Sequence, residues 1–434
     1  MHSKDLTMDR NHLIEWCLFM LVALASLHCT WAVNGFDPYE FLRRGSDQLG
    51  YYQWLPAFFV DQDFDKMYWC HQMESGKWIS MFTFGVALLQ LPFFLIGQLS
   101  AEAFGYDLNG FSPPYAVAQM VGVALYTGAG VVLAFRIARR FSTEESALLA
   151  VVALFAATNL FYYSVYAPTM SHGYSFFLVG LFCYSALHIS DGAENPVRSI
   201  HVVLLVLSGS LLVFVRQLNI IVFIFPLLMV YRSTEGFPGF LRTLMAHRPT
   251  LITTGLLVLV PWVLQGWYWY NVTGDPFTFT YGKKDEHFEF TKMVPGRVLF
   301  DVRNGWLIYT PLMIPVLVVL IKHAWRNTAG ARAIGLVFLL TWLLYSAWWC
   351  WWLGTGYGYR GFVDLYALLV IPLAWVFRSV FARPLPVRIF AALTMVALIY
   401  LNFGLMEKFT WEWSWENWTW QLYFGEVGRI FGGS

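Results

Sequence analysis

Blocks of continuous apolar sequence, most of them about 18–23 residues long, constrain this chain more than any other feature, because a helix of that length crosses the ~30 Å hydrocarbon core of a bilayer. The blocks fall at 13–34, 78–98, 115–135, 146–165, 174–190, 200–215, 218–231, 250–270, 305–321, 333–353, 361–377 and 388–406, with short polar connections between them. Stretches such as 251–264 lack the alternation of a membrane β-strand. The expected fold class is therefore an all-α polytopic membrane protein. Charged residues make up 13% of the 434 residues, against about 25% in soluble domains, too few to solvate a globular surface. A net charge of +1 gives no general attraction to nucleic acid or an acidic partner. Cys17, Cys29, Cys183 and Cys350 lie in or beside apolar blocks and Cys70 stands alone in a polar stretch, which builds neither a disulfide framework nor a zinc spacing. The first block is too long for the apolar core of a signal peptide and lacks a small-residue cleavage site, so it reads as a retained helix.

Lys and Arg of short loops concentrate on the cytoplasmic side of a membrane. Here they cluster as Lys4/Arg10, Arg136/Arg139/Arg140, Arg198, Arg232/Arg242/Arg248, Lys322/Arg326/Arg332 and Arg378/Arg383/Arg388. From Arg136 onward a cluster occurs at every second connection. Two crossings, not three, must precede Arg136 if the N-terminus is cytoplasmic. The block that drops out is 78–98: the segment after it has Glu102 and Asp107 but no Lys or Arg, and Gln90 and Pro92 interrupt it. It is expected to lie at the outer interface as a juxtamembrane helix. The sum is about eleven crossings with exoplasmic loops at 35–114 and 271–304. An exoplasmic tail, 407–434, carries Trp at 411, 413, 415, 418 and 420 and suits the headgroup region. No internal repeat is visible, which disfavours inverted-repeat transporters.

Unusual polar groups gather on the exoplasmic side. Asp47 follows a Gly-Ser turn and precedes the pair Tyr51/Tyr52; Asp37 and Asp61 are further carboxylates of the same loop. A carboxylate beside the membrane can act as a general base or hold a cation. Asp61, Asp63 and Asp65 alternate, but without the Gly and Glu of a calcium loop. His172, Arg216, the Arg303-Asn304 pair and Arg360 mark later exoplasmic connections. Asp364 is four residues from Arg360, which places the two on one face of an α-helix. Arginines at the edge of hydrocarbon are costly unless paired, and several on one side suit an anion that matches the guanidinium fork, such as a lipid phosphate.

Four segments resemble the GT-C superfamily of membrane glycosyltransferases, in particular the branch of the protein O-mannosyltransferases and the aminoarabinose transferases of lipid A. They are Gly45-Ser-Asp-Gln-Leu-Gly-Tyr-Tyr52, Pro168-Thr-Met-Ser-His172, Arg303-Asn-Gly-Trp-Leu-Ile-Tyr-Thr-Pro311, and the run from Trp348 to Arg360. The resemblance implies a catalytic carboxylate in the first exoplasmic loop, juxtamembrane helices after it, and transfer of a sugar from a polyprenyl-phosphate donor to an exoplasmic hydroxyl or amine acceptor, with inversion. On that basis Asp47 is the expected base, with Asp37 and Asp61 as alternates because Gln48 stands where relatives often have a second acid. Arg303, Arg360, Arg216 and His172 are the expected donor-phosphate ligands, with Tyr51, Tyr52, Asn304 and Asp364 in support. No cofactor is fixed by these residues, and a divalent cation is compatible with them. The implied location is a bacterial cytoplasmic membrane with the site on its periplasmic face. A lipid-linked saccharide flippase or other transporter is the main rival, although it would need polar groups near the midplane, where these blocks have few; a polysaccharide polymerase or ligase is a second. Asn271-Val-Thr and Asn417-Trp-Thr match a glycosylation acceptor pattern.

Overall fold

The structure, a computed structural model, describes residues 10–33, 37–43, 45–67, 70–190, 198–231, 236–284, 286–328 and 330–432. The fold is an all-α bundle, and among the described residues seven helices are long and apolar enough to cross a membrane: Arg10–Val33, Gly85–Phe104, Pro113–Phe141, Ser171–Ser190, Arg248–Thr273, Arg360–Phe381 and Leu385–Lys408. Counting the broken pair Gln217–Tyr231 and Gly236–Ala246 as one span makes eight, and Ser199–Val215, Met313–Trp325 and Ala331–Ser346 are shorter apolar helices. The chain is an integral membrane protein.

The cationic clusters meet at one end of the bundle. Glu15, near the start of the first helix, lies 2.6 Å from Arg136 and 3.4 Å from Arg139 at the end of Pro113–Phe141. Arg140 donates to the Leu187 carbonyl, His188 stacks on His201, and Ser199 Oγ lies 3.2 Å from His247 Nδ1. Trp375 donates to the Phe141 carbonyl and stacks on His323. Lys4 and Arg232 fall outside the described residues. The residues 171–172 begin the Ser171–Ser190 helix, and the fifteen-residue separation from His172 to Leu187 sets the opposite end of the bundle about 22 Å away.

The 78–98 block is redistributed. Trp78–Ser80 pairs antiparallel with Cys70–Gln72, and the helix runs from Gly85 to Phe104. Pro92 does not interrupt it. Gln90 is buried and its carbonyl accepts from Gln119. Gly85 abuts the backbone of Phe214 and Val215, at the end of Ser199–Val215, while Gly97 abuts Tyr115 at the start of Pro113–Phe141. Between helix and site, Tyr52 donates to the Gly110 carbonyl. Gly85–Phe104 packs lengthwise along Pro113–Phe141, with the Leu89 carbonyl accepting from Tyr126 and Gly122 facing Phe93. Glycine makes this packing close: a Cβ on Gly97 would come within 2.7 Å of Tyr115 Cα, the small-residue contact typical of membrane helices.

Candidate functional site

The end of the bundle opposite the Arg136 cluster holds a cavity of 440 Å³. Asp47 enters it from the short helix Ser46–Tyr52. Asp47 Oδ2 lies 2.9 Å from Arg360 Nη1, with 26% and 19% of the two side chains exposed, so the pair is half-shielded and still open to the cavity. The neighbouring Gln48 accepts from Thr169 at 2.7 Å, tying the first loop to the Pro168–His172 turn.

A second charged group lies deeper. Asp364 is buried, with Oδ1 3.0 Å from His172 Nδ1. Its Oδ2 is 3.1 Å from Arg216 Nε, an ion-pair distance without hydrogen-bond alignment. Arg216 Nη1 lies 3.1 Å from His172 Nε2 and 3.2 Å from Nδ1, and Nη2 donates to the Tyr345 hydroxyl at 2.8 Å. Arg216 stands where Ser199–Val215 gives way to a 3₁₀ turn, with an extended backbone that turns its side chain into the bundle. Arg360 and Asp364 do not share a helical face. Arg360–Leu365 is 3₁₀, with about three residues per turn, so positions four apart diverge. Each then meets a different partner.

Of the residues singled out from sequence, Asp47, Tyr51, His172, Arg216 and Arg360 line the cavity, and Asp364 sits directly behind it. Tyr51 packs on Phe82 with ring centres 4.2 Å apart, and burial pushes its hydroxyl up to about 12, so it stays a neutral donor at neutral pH. Five others are not brought to the cavity. Arg303 lies against Trp351 and Trp352, 5.2 and 5.1 Å from the ring centres, with its Nε 3.7 Å from Asp301. The indole faces hold the cation there. Asn304, at φ 61°, donates to the carbonyls of Trp352 and Gly354. These two residues brace the 348–360 loop. Tyr52 is fully buried in the separate cluster around Phe94 and Tyr115. Asp37 and Asp61 are exposed. Asp37 accepts from the Glu40 amide.

The sequence reading missed one wall. Phe279, Tyr281, Glu286 and Phe288 from the second large loop, with Trp348, Trp349 and Cys350, also line the cavity. The loop is zipped to the 346–349 segment: Trp349 N donates to the His287 carbonyl, Glu289 N to Ala347 and Val294 N to Ser346. Phe288 and Trp348 form a bridge with rings 4.8 Å apart. The signal that could have found this wall was the dense Phe-Thr-Phe-Thr-Tyr run ending in Lys-Lys-Asp-Glu-His at 277–287. Leu353, at φ 58°, and Gly354, at φ 67°, bend the loop over the opening. A left-handed leucine costs about 1–3 kcal/mol and persists because its surroundings enforce it. Among the described residues, no group of three or more His, Cys, Asp or Glu could hold a metal ion.

No protein-family model matches this sequence. No curated protein matches it. Among solved structures, the archaeal oligosaccharyltransferase AglB from Archaeoglobus fulgidus, in complex with an inhibitory peptide and a dolichol-phosphate, superposes with a TM-score of 0.53 at 12% identity, covering 92% of this chain and 56% of that one. ArnT from Cupriavidus metallidurans, in the apo state, gives 0.49 at 14% identity over 96% and 76%. This chain thus spans little more than half the length of AglB. The fold of this chain is similar to that of AglB over 92% of its length.

Proposed function

We propose that this chain is a membrane glycosyltransferase that moves a sugar from a polyprenyl-phosphate-linked donor to a hydroxyl or amine acceptor, with inversion. The observation that carries the reading is the single cavity in which the Asp47–Arg360 pair and the Arg216–Asp364–His172 group converge. AglB holds a dolichol-phosphate, and a ligand of that class fits two arginines facing one opening at a membrane surface. The cationic end of the bundle is assigned to the cytoplasm and the cavity to the exoplasmic face, bacterial periplasm included. Residues 35–114, 271–304 and 407–434 are then exoplasmic, with Gly85–Phe104 as a juxtamembrane helix and the Trp-rich tail in the headgroup region.

In this reading Asp47 accepts the acceptor's proton as its oxygen or nitrogen attacks the anomeric carbon. The bond from that carbon to the phosphate oxygen breaks, its electron pair leaves with the lipid phosphate, and Arg360 and Arg216 stabilise the charge that develops. Preformed donors favour this transition state because they need no reorganisation as the charge appears. Arg303 acts at a distance, by holding Trp351 and Trp352.

The test is transfer in reconstituted membranes from radiolabelled polyprenyl-phosphate sugars to an acceptor extract, by wild type and Asp47→Asn. Loss of a general base removes about 10²–10⁴-fold, so the variant should fold and bind donor but transfer at least a hundredfold more slowly. Retained transfer removes Asp47 from the mechanism. Lipid translocation without transfer, equal in both proteins, replaces the transferase with a flippase.

A further inference from the structure

The end of the bundle opposite the Asp47 cavity holds a second cavity of 440 Å³, which the proposed reaction does not use. It lies between three helices that are each long and apolar enough to cross a membrane. Arg136, Arg139 and Arg140 enter it from the last turns of Pro113–Phe141, His12 and Glu15 from the start of Arg10–Val33, and His188 from the end of Ser171–Ser190. Each of these residues is at most five positions from its helix end, about 8 Å along the axis, which is the level where hydrocarbon gives way to headgroups. Contacts within the protein hold the arginines at the wall. Arg136 Nη2 lies 2.6 Å from the buried Glu15, and its guanidinium covers the Tyr184 ring at 5.5 Å. Arg139 donates to Asn11 and Glu15, and Arg140 to the Leu187 carbonyl. A ligand can still reach them: 33% of the Arg136 side chain and 31% of Arg139 are exposed, and Arg140 is exposed as well.

We infer that this cavity binds the phosphodiester of an anionic phospholipid. Among the described residues its lining sets three arginines against one carboxylate, Glu15. Glu144 reaches Arg139 at 3.8 Å from outside the lining, but it also pairs with a fourth arginine, Arg10, at 3.3 Å, so four guanidinium groups share two carboxylates. Surplus positive charge at the edge of hydrocarbon favours an anion there, and the guanidinium fork matches phosphate oxygens. Basic pockets between membrane helices suit lipid headgroups for this reason. The apolar part of the wall favours a lipid over a soluble anion. Ile137 and Leu187 border the cavity beside Tyr184. On the first helix Leu13, Trp16 and Met20 are 50%, 54% and 48% exposed and share one face, with Trp16 a turn beyond His12. A phosphate seated on the arginines would lay its acyl chains along that face. A zwitterionic headgroup would bring an ammonium to the same arginines, so the site selects headgroups of net negative charge. The bound phosphate joins the first helix to the other two and stabilises the folded bundle by mass action.

The experiment titrates the purified full-length protein in a mild detergent with phosphatidylglycerol, phosphatidylcholine or inorganic phosphate, and follows the bound species by native mass spectrometry. Wild type should bind phosphatidylglycerol at least about tenfold tighter than phosphatidylcholine, since each arginine near the surface adds to the attraction. Arg139→Gln, and separately Arg140→Gln at the more exposed position, should each reduce that ratio to less than about threefold. Arg10→Gln removes the same charge from outside the lining and should leave the ratio unchanged. Equal affinity for the two lipids in wild type, or a ratio retained in both lining variants, overturns the site. An equal loss in Arg10→Gln overturns the cavity in favour of diffuse surface charge. Displacement of phosphatidylglycerol by inorganic phosphate at equal concentration overturns the lipid assignment in favour of a soluble anion.

Discussion

Asp364 lies between His172 and Arg216, and replacing it with asparagine removes the carboxylate that both of them contact. Taking one partner from a buried ion pair costs about 3–5 kcal/mol, because the other charge is left in a poor solvent. Arg216 keeps 17% of its side chain exposed and still donates to Tyr345 and Ser171. Those contacts place the loss near the lower bound, about 3 kcal/mol. Arg216→Gln removes the cation instead and leaves Asp364, with 2% of its side chain exposed, facing His172. The double variant has neither charge to strand, so the two effects should fall short of their sum by about 2 kcal/mol, roughly a thirtyfold coupling. The assay is denaturant unfolding in a mild detergent, followed by emission from the 21 tryptophans, with all four proteins in one buffer. Additive single effects, or an Asp364→Asn variant as stable as wild type, would refute the claim that these side chains form a coupled buried group.

Two further outcomes follow from packing and burial. A Cβ at Gly85 would come within 2.8 Å of the Phe214 carbonyl carbon and oxygen, all backbone, while one at Gly255 meets nothing within 4 Å; Gly85→Ala should cost about 1–3 kcal/mol and Gly255→Ala should be neutral or stabilising, so equal thermal inactivation of the two would refute the close approach. Burial raises the Cys350 thiol to about 11, which leaves it roughly 10²–10³ times poorer in thiolate at pH 7 than an ordinary cysteine. Its maleimide labelling should rise about tenfold per pH unit from 7 to 9, and labelling at an ordinary rate would show that the 348–360 loop opens.

What the sequence made legible is what depends on spacing along the chain. Apolar block lengths gave the helices, and the alternation of basic clusters put Arg136, Arg139 and Arg140 on the side of the N-terminus, where they meet Glu15 and Leu187. Parity assigned 78–98 to the outer interface, and the helix formed there, Gly85–Phe104, is long and apolar enough to cross. The convergence of Asp47, Arg216, His172, Arg360 and Asp364 was also anticipated, because each is a polar group beside an apolar block where solvation is scarce. Arg303 satisfied the same rule for another reason: neighbouring tryptophans give a cation a surface to rest on without any ligand. Pattern could not separate these cases, since both are arginines at helix ends. Glu286 was invisible for the opposite reason. It sits in an ordinary charged run, and only the backbone pairing of 287–294 with 346–349 folds that run over the cavity.

The two arginines of the cavity are held in unequal ways, and the difference assigns them different parts. Arg216 is fixed on three sides, by Asp364, His172 and Tyr345, inside the bundle. Its position is set by a charge it does not have to release. Arg360 is held by Asp47, which itself borders the cavity, through Nη1, one group of a five-donor guanidinium whose fork fits an anion. In the proposed reaction an arriving phosphate would meet one preorganised cation and compete with a carboxylate for the other. Arg360 would then be the group through which the donor phosphate and the proposed base sense one another, since a guanidinium drawn toward phosphate weakens its hold on Asp47. The paired resting state also keeps two cations at the rim of hydrocarbon without leaving either uncompensated, which a membrane protein requires whether or not substrate is present. Stability of the empty bundle and readiness for an anionic ligand thus come from the same four side chains, with Asp364 dedicated to the first and Asp47 shared between both.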